Sequence, residues 1–295
     1  MQTTATDIRP KAVTGIALMI AAAACLSIND AFAKALTAGY LPIQILFVRN
    51  IIALPIAALV AWKMGGTAAL RSRRPAAHLM RGAIWVAAAT LFFTSLGYLA
   101  LAEATVLIFA APVFVTALSA LVLKDEVGWR RWSAVLVGFA GVLIVVRPGG
   151  STFQAASLFP VATALLYAVL MISARWVDSR ESVWTLMLYQ TGAGALICAL
   201  AMPFLWTPMR MEDLWLFVGI SLSGTAGITM MTQAFRFAPA AVIAPFDYTA
   251  LIWAALMGWL FWNEIPDVAT YAGGAVIIAS GAFIVWRESR LTKTG

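Results

Sequence analysis

The sequence predicts an all-α integral membrane protein: ten transmembrane helices arranged as a 5+5 inverted repeat. Three observations carry this. Of 295 residues, 62% are hydrophobic and 11% charged, against roughly a quarter charged in ordinary soluble domains, and mean hydropathy is +0.90. Apolar runs of membrane-spanning length recur along the whole chain. Residue patterns also repeat at a nearly constant offset. A soluble globule of this length would need far more polar residues to cover its surface. Composition therefore excludes a soluble enzyme, a disordered chain and a nucleic-acid-binding domain. The lipid bilayer is the expected partner, and nucleic acid is not.

The ten apolar segments run over 12–37, 42–62, 77–98, 104–123, 132–147, 155–177, 183–206, 214–235, 240–262 and 268–287. A span takes about 20 residues, so ten leave roughly 95 for short loops and tails. The first follows a polar tail and is too long for a signal-peptide core, so it is expected to remain as a span. The second carries Arg49 inside its apolar run, and the fourth carries Pro112. The fifth is the shortest, and its neighbours must help set its depth. The eighth bears a small-residue stripe, Gly219, Ser223 and Gly227, that allows close helix contact or sliding. The ninth carries Pro245 and Asp247. Continuous apolar runs, rather than short alternating ones, exclude a β-barrel. Trp129, Trp132, Trp176, Trp206, Trp215, Trp262 and Trp286 fall near span ends, as interfacial anchors do.

Net charge is +7. With the N-terminus inside, 16 Lys and Arg fall on the inner side, including Arg9, Lys11, Lys63, Arg71, Arg73, Arg74 and Arg81. Only 3 fall outside, Lys34, Arg147 and Arg210. This asymmetry fits the positive-inside rule and places both termini in the cytoplasm.

The internal repeat divides the chain at 1–150 and 151–295. Leu46 through Arg49 matches Met187 through Gln190 at an offset of 141, which also sets Lys34 against Arg175. Ala117 through Glu126 matches Ala255 through Glu264 at 138, and Gly141 through Arg147 matches Gly281 through Arg287 at 140. Each unit holds five spans. Five is odd, so the second unit enters from the opposite side. Such repeats place a substrate site near the midplane.

A charge within the bilayer costs at least about 2.5 kcal/mol on insertion scales, so each one needs a reason. Asp30 and Arg49 lie in consecutive spans, each seven residues from the outer turn, hence about 10 Å deep at 1.5 Å per residue. They are expected to reach each other in a salt bridge. Two readings stand: a fixed ion pair locking the hairpin, or a substrate or proton site. The second unit has uncharged Met171 and Gln190 at these places, so the architecture does not demand the pair. Asp247 follows Pro245, whose missing N–H frees a nearby carbonyl, and such groups are tolerated where they face protein or a wet cavity. Asp247 beside Tyr248 suits an amino group or a proton, or else an interhelical hydrogen bond. Other polar candidates are Asn29, Asn50, Thr94, Tyr98, Tyr167, Gln190 and Gln233, with Trp85, Phe92, Phe93, Phe109 and Trp253 as apolar walls. Each alone is also explained by packing. Glu126 and Glu264 close the fourth and ninth spans and read as structural, bonding backbone N–H groups. Cys25 and Cys198 lie within apolar segments, and His78 is the lone histidine. A His/Cys metal site, a cofactor and a hydrolytic constellation are not expected, and no Walker A motif supports ATP-driven pumping.

The stretches Leu101-Ala102-Glu103-Ala104-Thr105, Ala111-Pro112-Val113-Phe114-Val115-Thr116, Lys124-Asp125-Glu126 and Gly138-Phe139-Ala140-Gly141-Val142 resemble the first half of an EamA-type transporter of the drug/metabolite transporter superfamily. Ala244-Pro245-Phe246-Asp247-Tyr248 and Trp259 through Pro266 resemble the second. The resemblance covers nearly the whole chain. It implies a bacterial inner-membrane secondary transporter of a small-molecule substrate, not an enzyme. It points to export of amino acids or similar polar metabolites, with protons as a coupling partner. The alternative it leaves open is uptake of a vitamin or nucleoside-like solute of the riboflavin or S-adenosylmethionine type.

Overall fold

The computed structural model describes residues 8–122, 128–150, 153–173, 181–237 and 239–291. Lys124, Asp125, Glu126, Arg175, Trp176, Arg180 and Lys293 lie outside the described residues. Within them the chain is helical and no strand occurs. The helices are α1 (Ile8–Thr37), α2 (Pro42–Gly65), α3 (Pro75–Leu96), α4 (Leu101–Ile108), α5 (Ala111–Val122), α6 (Trp129–Val146), α7 (Leu158–Ile172), α8 (Val183–Leu205), α9 (Leu214–Phe237), α10 (Ala240–Asp247), α11 (Ala250–Trp262) and α12 (Val268–Leu291).

Eight stretches are long and apolar enough to cross a membrane, counting α4 with α5 and α10 with α11 as one stretch each. Two of the ten expected segments are shorter apolar helices, Trp132–Val146 and Val268–Ile284. At 1.5 Å per residue the first rises roughly 22 Å, less than the ~30 Å hydrocarbon core. These two helices pack along each other. Glycines bring their backbones close: a Cβ on Gly273 would lie 2.7 Å from the Gly141 carbonyl oxygen.

The prolines of the fourth and ninth segments act as breaks rather than bends. α4 stops at Ile108 and α5 begins at Ala111, so Pro112 sits in the first turn of the new helix, where its missing N–H has no partner to lose. α10 ends at Asp247, two residues past Pro245, and α11 begins at Ala250. Tight bonds satisfy the backbone at both sites, Ala110 N–H to the Leu107 carbonyl (3.2 Å) and Thr249 N–H to the Phe246 carbonyl (3.1 Å). The breaks meet in the interior, with the Phe109 and Tyr248 rings 4.9 Å apart.

The pairing of helices is regular. α1 lies along α9, and α7 along α3. α2 lies along α8, and α6 along α12. α1 also meets α10 and α11, while α7 meets α4 and α5. The small-residue stripe of α9 serves the first of these contacts. A Cβ on Gly219 would strike the Phe32 ring at 2.7 Å, and one on Gly227 would strike Leu26 at 2.8 Å.

Candidate functional site

Six helices converge on one polar cluster. α1 brings Asn29 and Asp30, α2 brings Arg49 and Asn50, α3 brings Trp85, and α7 brings Tyr167. α8 and α9 contribute Gly194 and Gly224. Asn29, Arg49, Asn50 and Trp85 are 5%, 8%, 2% and 7% exposed, whereas Asp30 and Tyr167 are only half-buried. The Arg49 guanidinium lies over the Trp85 ring at 5.5 Å, a cation–π contact. Asn29 Nδ2 donates to Asp30 Oδ1 at 2.9 Å. Tyr167 sits within electrostatic reach of both Asp30 and Arg49.

The expected salt bridge is not made. Asp30 and Arg49 form no direct ion pair among the described residues, although each feels the other's charge. Asn29 occupies one oxygen of Asp30 and Trp85 holds the guanidinium. The absence of side chains at two glycines lets the polar groups come close against α8 and α9. A Cβ on Gly224 would lie 2.5 Å from an Arg49 terminal nitrogen and 2.5 Å from Asn29 Oδ1. One on Gly194 would lie 2.7 Å from Asn50 Nδ2 and 3.0 Å from Trp85.

Three buried polar atoms in this cluster have no partner: Asn29 Oδ1, Arg49 Nε and Asn50 Nδ2. Buried polar groups are nearly always satisfied, and leaving one unpaired costs about 1–3 kcal/mol. The three orphans, two donors and one acceptor, lie together on adjoining residues of α1 and α2.

One turn from Asp30 on the same face of α1, about 6 Å toward the end of the helix, Lys34 closes the interior. Its Nζ donates to Glu264 Oε1 at 2.5 Å and to the Leu99 carbonyl at 2.6 Å, and it lies 5.5 Å from the Trp262 ring centre. Glu264 Oε2 accepts from the Leu101 N–H at 3.0 Å, a free donor at the start of α4. The backbone bond expected of Glu264 is present. The Lys34 clamp joining α1, the α3–α4 turn and the end of α11 is new.

The remaining candidates scatter. Asp247 and Tyr248 sit at the break between α10 and α11, away from the cluster, and both are half-buried. The Tyr248 hydroxyl approaches Gly281, where a Cβ would stand only 2.4 Å away. Gln190 is half-buried on α8, one turn before Gly194, and so on the side facing Asn50. Gln233 Nε2 reaches Met64 Sδ at 3.9 Å, at the periphery. Tyr98 is 68% exposed in the α3–α4 turn and takes no part in the cluster. Thr94 donates to the Thr90 carbonyl, and Phe92 and Phe93 are buried in the main core beside Trp85.

Two latches tie distant segments of the chain together. At the inner end by the charge count, His78 Nε2 and Glu181 Oε2 are 2.6 Å apart, both side chains almost fully buried. Glu181 Oε1 also accepts from Arg73 N–H at 2.6 Å and Ser72 Oγ at 2.9 Å. Burial pushes the Glu181 carboxyl up, but the bonds from His78, Arg73 and Ser72 outweigh it and hold the group below its ordinary range. At the opposite end, Tyr40 donates to Asp213 at 2.8 Å and accepts from Arg210 N–H at 3.0 Å.

Comparison with known proteins agrees with this architecture. The EamA-like transporter family matches residues 13–147 and again 154–286. An S-adenosylmethionine uptake transporter of Rickettsia prowazekii is 28% identical over 94% of each chain. A pseudopaline exporter of Pseudomonas aeruginosa is 26% identical over 90% of this chain and 94% of its own. A riboflavin transporter of Vibrio cholerae is 29% identical over 78% of each. A solved crystal structure overlays 98% of this chain and 99% of its own with a TM-score of 0.60 at 19% identity, a likeness of fold alone. Apolar helices of spanning length, a buried polar cluster within them and a family match over both halves lead to one conclusion: this chain is a multi-pass membrane transporter and belongs to the EamA-like transporter family.

Proposed function

We propose that the chain is a secondary transporter of the bacterial inner membrane that moves small metabolites bearing an amino-acid headgroup, outward, by alternating access. The three orphaned atoms carry this reading. Arg49 Nε and Asn50 Nδ2 are two unpaired donors, as a carboxylate requires, and Asn29 Oδ1 beside Asp30 supplies acceptors for an ammonium. Trp85 and Tyr167 complete an aromatic wall. Asp247 and Tyr248 at the second break, Gln190 on the side of α8 facing Asn50, and Gln233 and Tyr98 toward the periphery would meet the solute on its way.

Ten spans in two inverted five-helix units fit the helix pairing. An exchange of the two units turns the α1–α9 contact into α7–α3 and maps α2–α8 and α6–α12 onto themselves. The same exchange relates the breaks at Phe109 and Tyr248, 139 residues apart. With termini in the cytoplasm, the Lys34–Glu264 clamp lies between the cluster and the outer face, as an outward barrier must. Proton coupling would run through Asp30, the half-buried carboxyl of the cluster.

A second reading, uptake of an S-adenosylmethionine-like solute, draws on the rickettsial relative. That solute also carries an amino-acid headgroup, so the same cluster would serve. Flux into and out of proteoliposomes, screened across amino acids, S-adenosylmethionine, nucleosides and flavins, tests both. Saturable flux confined to solutes with the headgroup is expected. Flux of flavins or nucleosides alone would overturn the headgroup assignment.

A further inference from the structure

A cavity lined by none of the polar-cluster residues opens on the side of the molecule. It is a cleft of about 550 Å³ between α2, α3 and α8, lined by Leu54, Leu70, Pro75, Leu79, Gly192 and Leu196 among others. Its wall on α8 runs from Leu188 to Leu196, roughly 12 Å along the helix axis. Leu79 and Leu196 at its lips are 45% and 58% exposed, and in a chain that spans a membrane such residues face hydrocarbon. The cleft therefore presents an elongated apolar slot to lipid tails rather than to water.

One end of the slot is basic. Leu70 and Pro75 line it, and between them Arg71, Arg73 and Arg74 are exposed. This segment is held in place rather than trailing. Tyr189, itself a lining residue, accepts from the Ser72 N–H at 3.0 Å, and Glu181 accepts from the Arg73 N–H at 2.6 Å. Exposed arginines on a backbone held by these bonds, at the rim of an apolar slot, match one ligand shape: an anionic head on an extended hydrocarbon tail. Guanidinium forks suit phosphate, and basic pockets between helices on the cytoplasmic side take anionic headgroups.

We infer that this cleft binds an anionic phospholipid of the inner leaflet, with one acyl chain along α8 and the phosphate at Arg71 and Arg74. Gly192 gives the sharpest test. A Cβ there would meet only Leu54 Cδ1 at an ordinary 3.6 Å, so Gly192→Leu fills the slot without displacing backbone. By contrast, a Cβ on Gly82 would strike Ala193 at 2.4 Å, and that position offers no such control.

The experiment is native mass spectrometry of the full-length protein in detergent, titrated with phosphatidylglycerol or phosphatidylcholine of equal chain length. Wild type should retain phosphatidylglycerol at least about fivefold better. Arg71→Gln with Arg74→Gln should erase that preference while weak binding of both lipids persists. Gly192→Leu should lower retention of both. If Gly192→Leu does not yield monodisperse protein, Leu79→Trp at the exposed lip replaces it. Equal retention of the two lipids by wild type, or undiminished binding when the slot is filled, overturns the inference. So does a dimer that Gly192→Leu converts to monomer, because the slot would then hold a second copy of the chain.

Discussion

Gly224→Ala separates the binding role of the polar cluster from its contribution to the fold. The added methyl would lie 2.5 Å from the Arg49 terminal nitrogen and 2.5 Å from Asn29 Oδ1. Ordinary contacts begin near 3.4 Å, so the guanidinium and the amide must each retreat by roughly 0.9 Å. Two opposing effects act on stability. Alanine is favoured over glycine within a helix by about 1 kcal/mol, and overpacking costs about 1–3 kcal/mol. The Arg49 end is flexible, which keeps the cost at the low end, so net destabilisation should stay below about 2 kcal/mol. Ligand binding has no such offset. Losing one hydrogen bond to a charged group removes about 1.5–3 kcal/mol, which is roughly a 10- to 150-fold loss of affinity. The assay is equilibrium binding in nanodiscs of a solute identified by flux, with thermal unfolding measured on the same samples. Gly219→Ala is the control: its methyl meets the Phe32 ring at 2.7 Å, so it should lower stability and leave affinity within about twofold. Unchanged affinity in Gly224→Ala, or the same affinity loss in Gly219→Ala, would refute the reasoning.

Three further outcomes follow from the geometry. Glu264→Gln weakens the clamp on Lys34 while keeping an acceptor for Leu101 N–H. In a background without Cys25 and Cys198, it should raise labelling of Tyr167→Cys by an impermeant thiol reagent from the outer side several-fold, and unchanged labelling would remove the clamp from the outer barrier. Glu181 is held below its ordinary range by His78, Arg73 and Ser72, so its stabilisation is complete above the unfolded value of about 4.3 and is lost as pH falls through the lower folded value. Thermal unfolding should show Glu181→Gln destabilised by about 1–3 kcal/mol at pH 7, with the gap to wild type closing toward pH 3; a gap independent of pH would contradict this. Asp247→Cys should react with a small charged thiol reagent and be protected by a transported solute, and a cysteine that never reacts, together with normal flux in Asp247→Asn, would make Asp247 a packing residue.

Much of the framework was legible because its physics is local. Apolar runs need no partner to be recognised, and a charge within one is conspicuous. Asp30 and Arg49 were readable for that reason, Asn29, Trp85 and Tyr167 only as candidates that packing also explains, and the structure brings the five together. What lay hidden was pairing across the chain. Lys34 reads as one outer cation, and only folding sets it against Glu264, 230 residues later. Gly194 and Gly224 escaped notice because glycine is common in membrane helices; nothing local distinguishes a glycine that lets polar side chains pack close from Gly219 or Gly227, which seat α1. The Asp30–Arg49 salt bridge was a depth argument, correct about level but blind to Asn29 and Trp85, which engage the two charges first. Tyr98 reads as a span residue because the apolar run continues past Leu96, but Gly97 ends the helix and the ring faces outward. His78 and Glu181 showed no relation in sequence, since their bond joins the first turn of α3 to the residues before α8, 103 positions apart.

The most direct test of the central claim is counterflow in proteoliposomes with one transported solute and its analogue lacking only the carboxylate, each measured in wild type, Arg49→Gln and Asp30→Asn. Wild type should carry the intact solute at least about tenfold better than the analogue. Arg49→Gln should lose that discrimination by failing on the intact solute, and Asp30→Asn should lose flux while remaining folded and monodisperse. Equal transport of both compounds, with both variants as active per molecule as wild type, would contradict a headgroup site at Asp30 and Arg49.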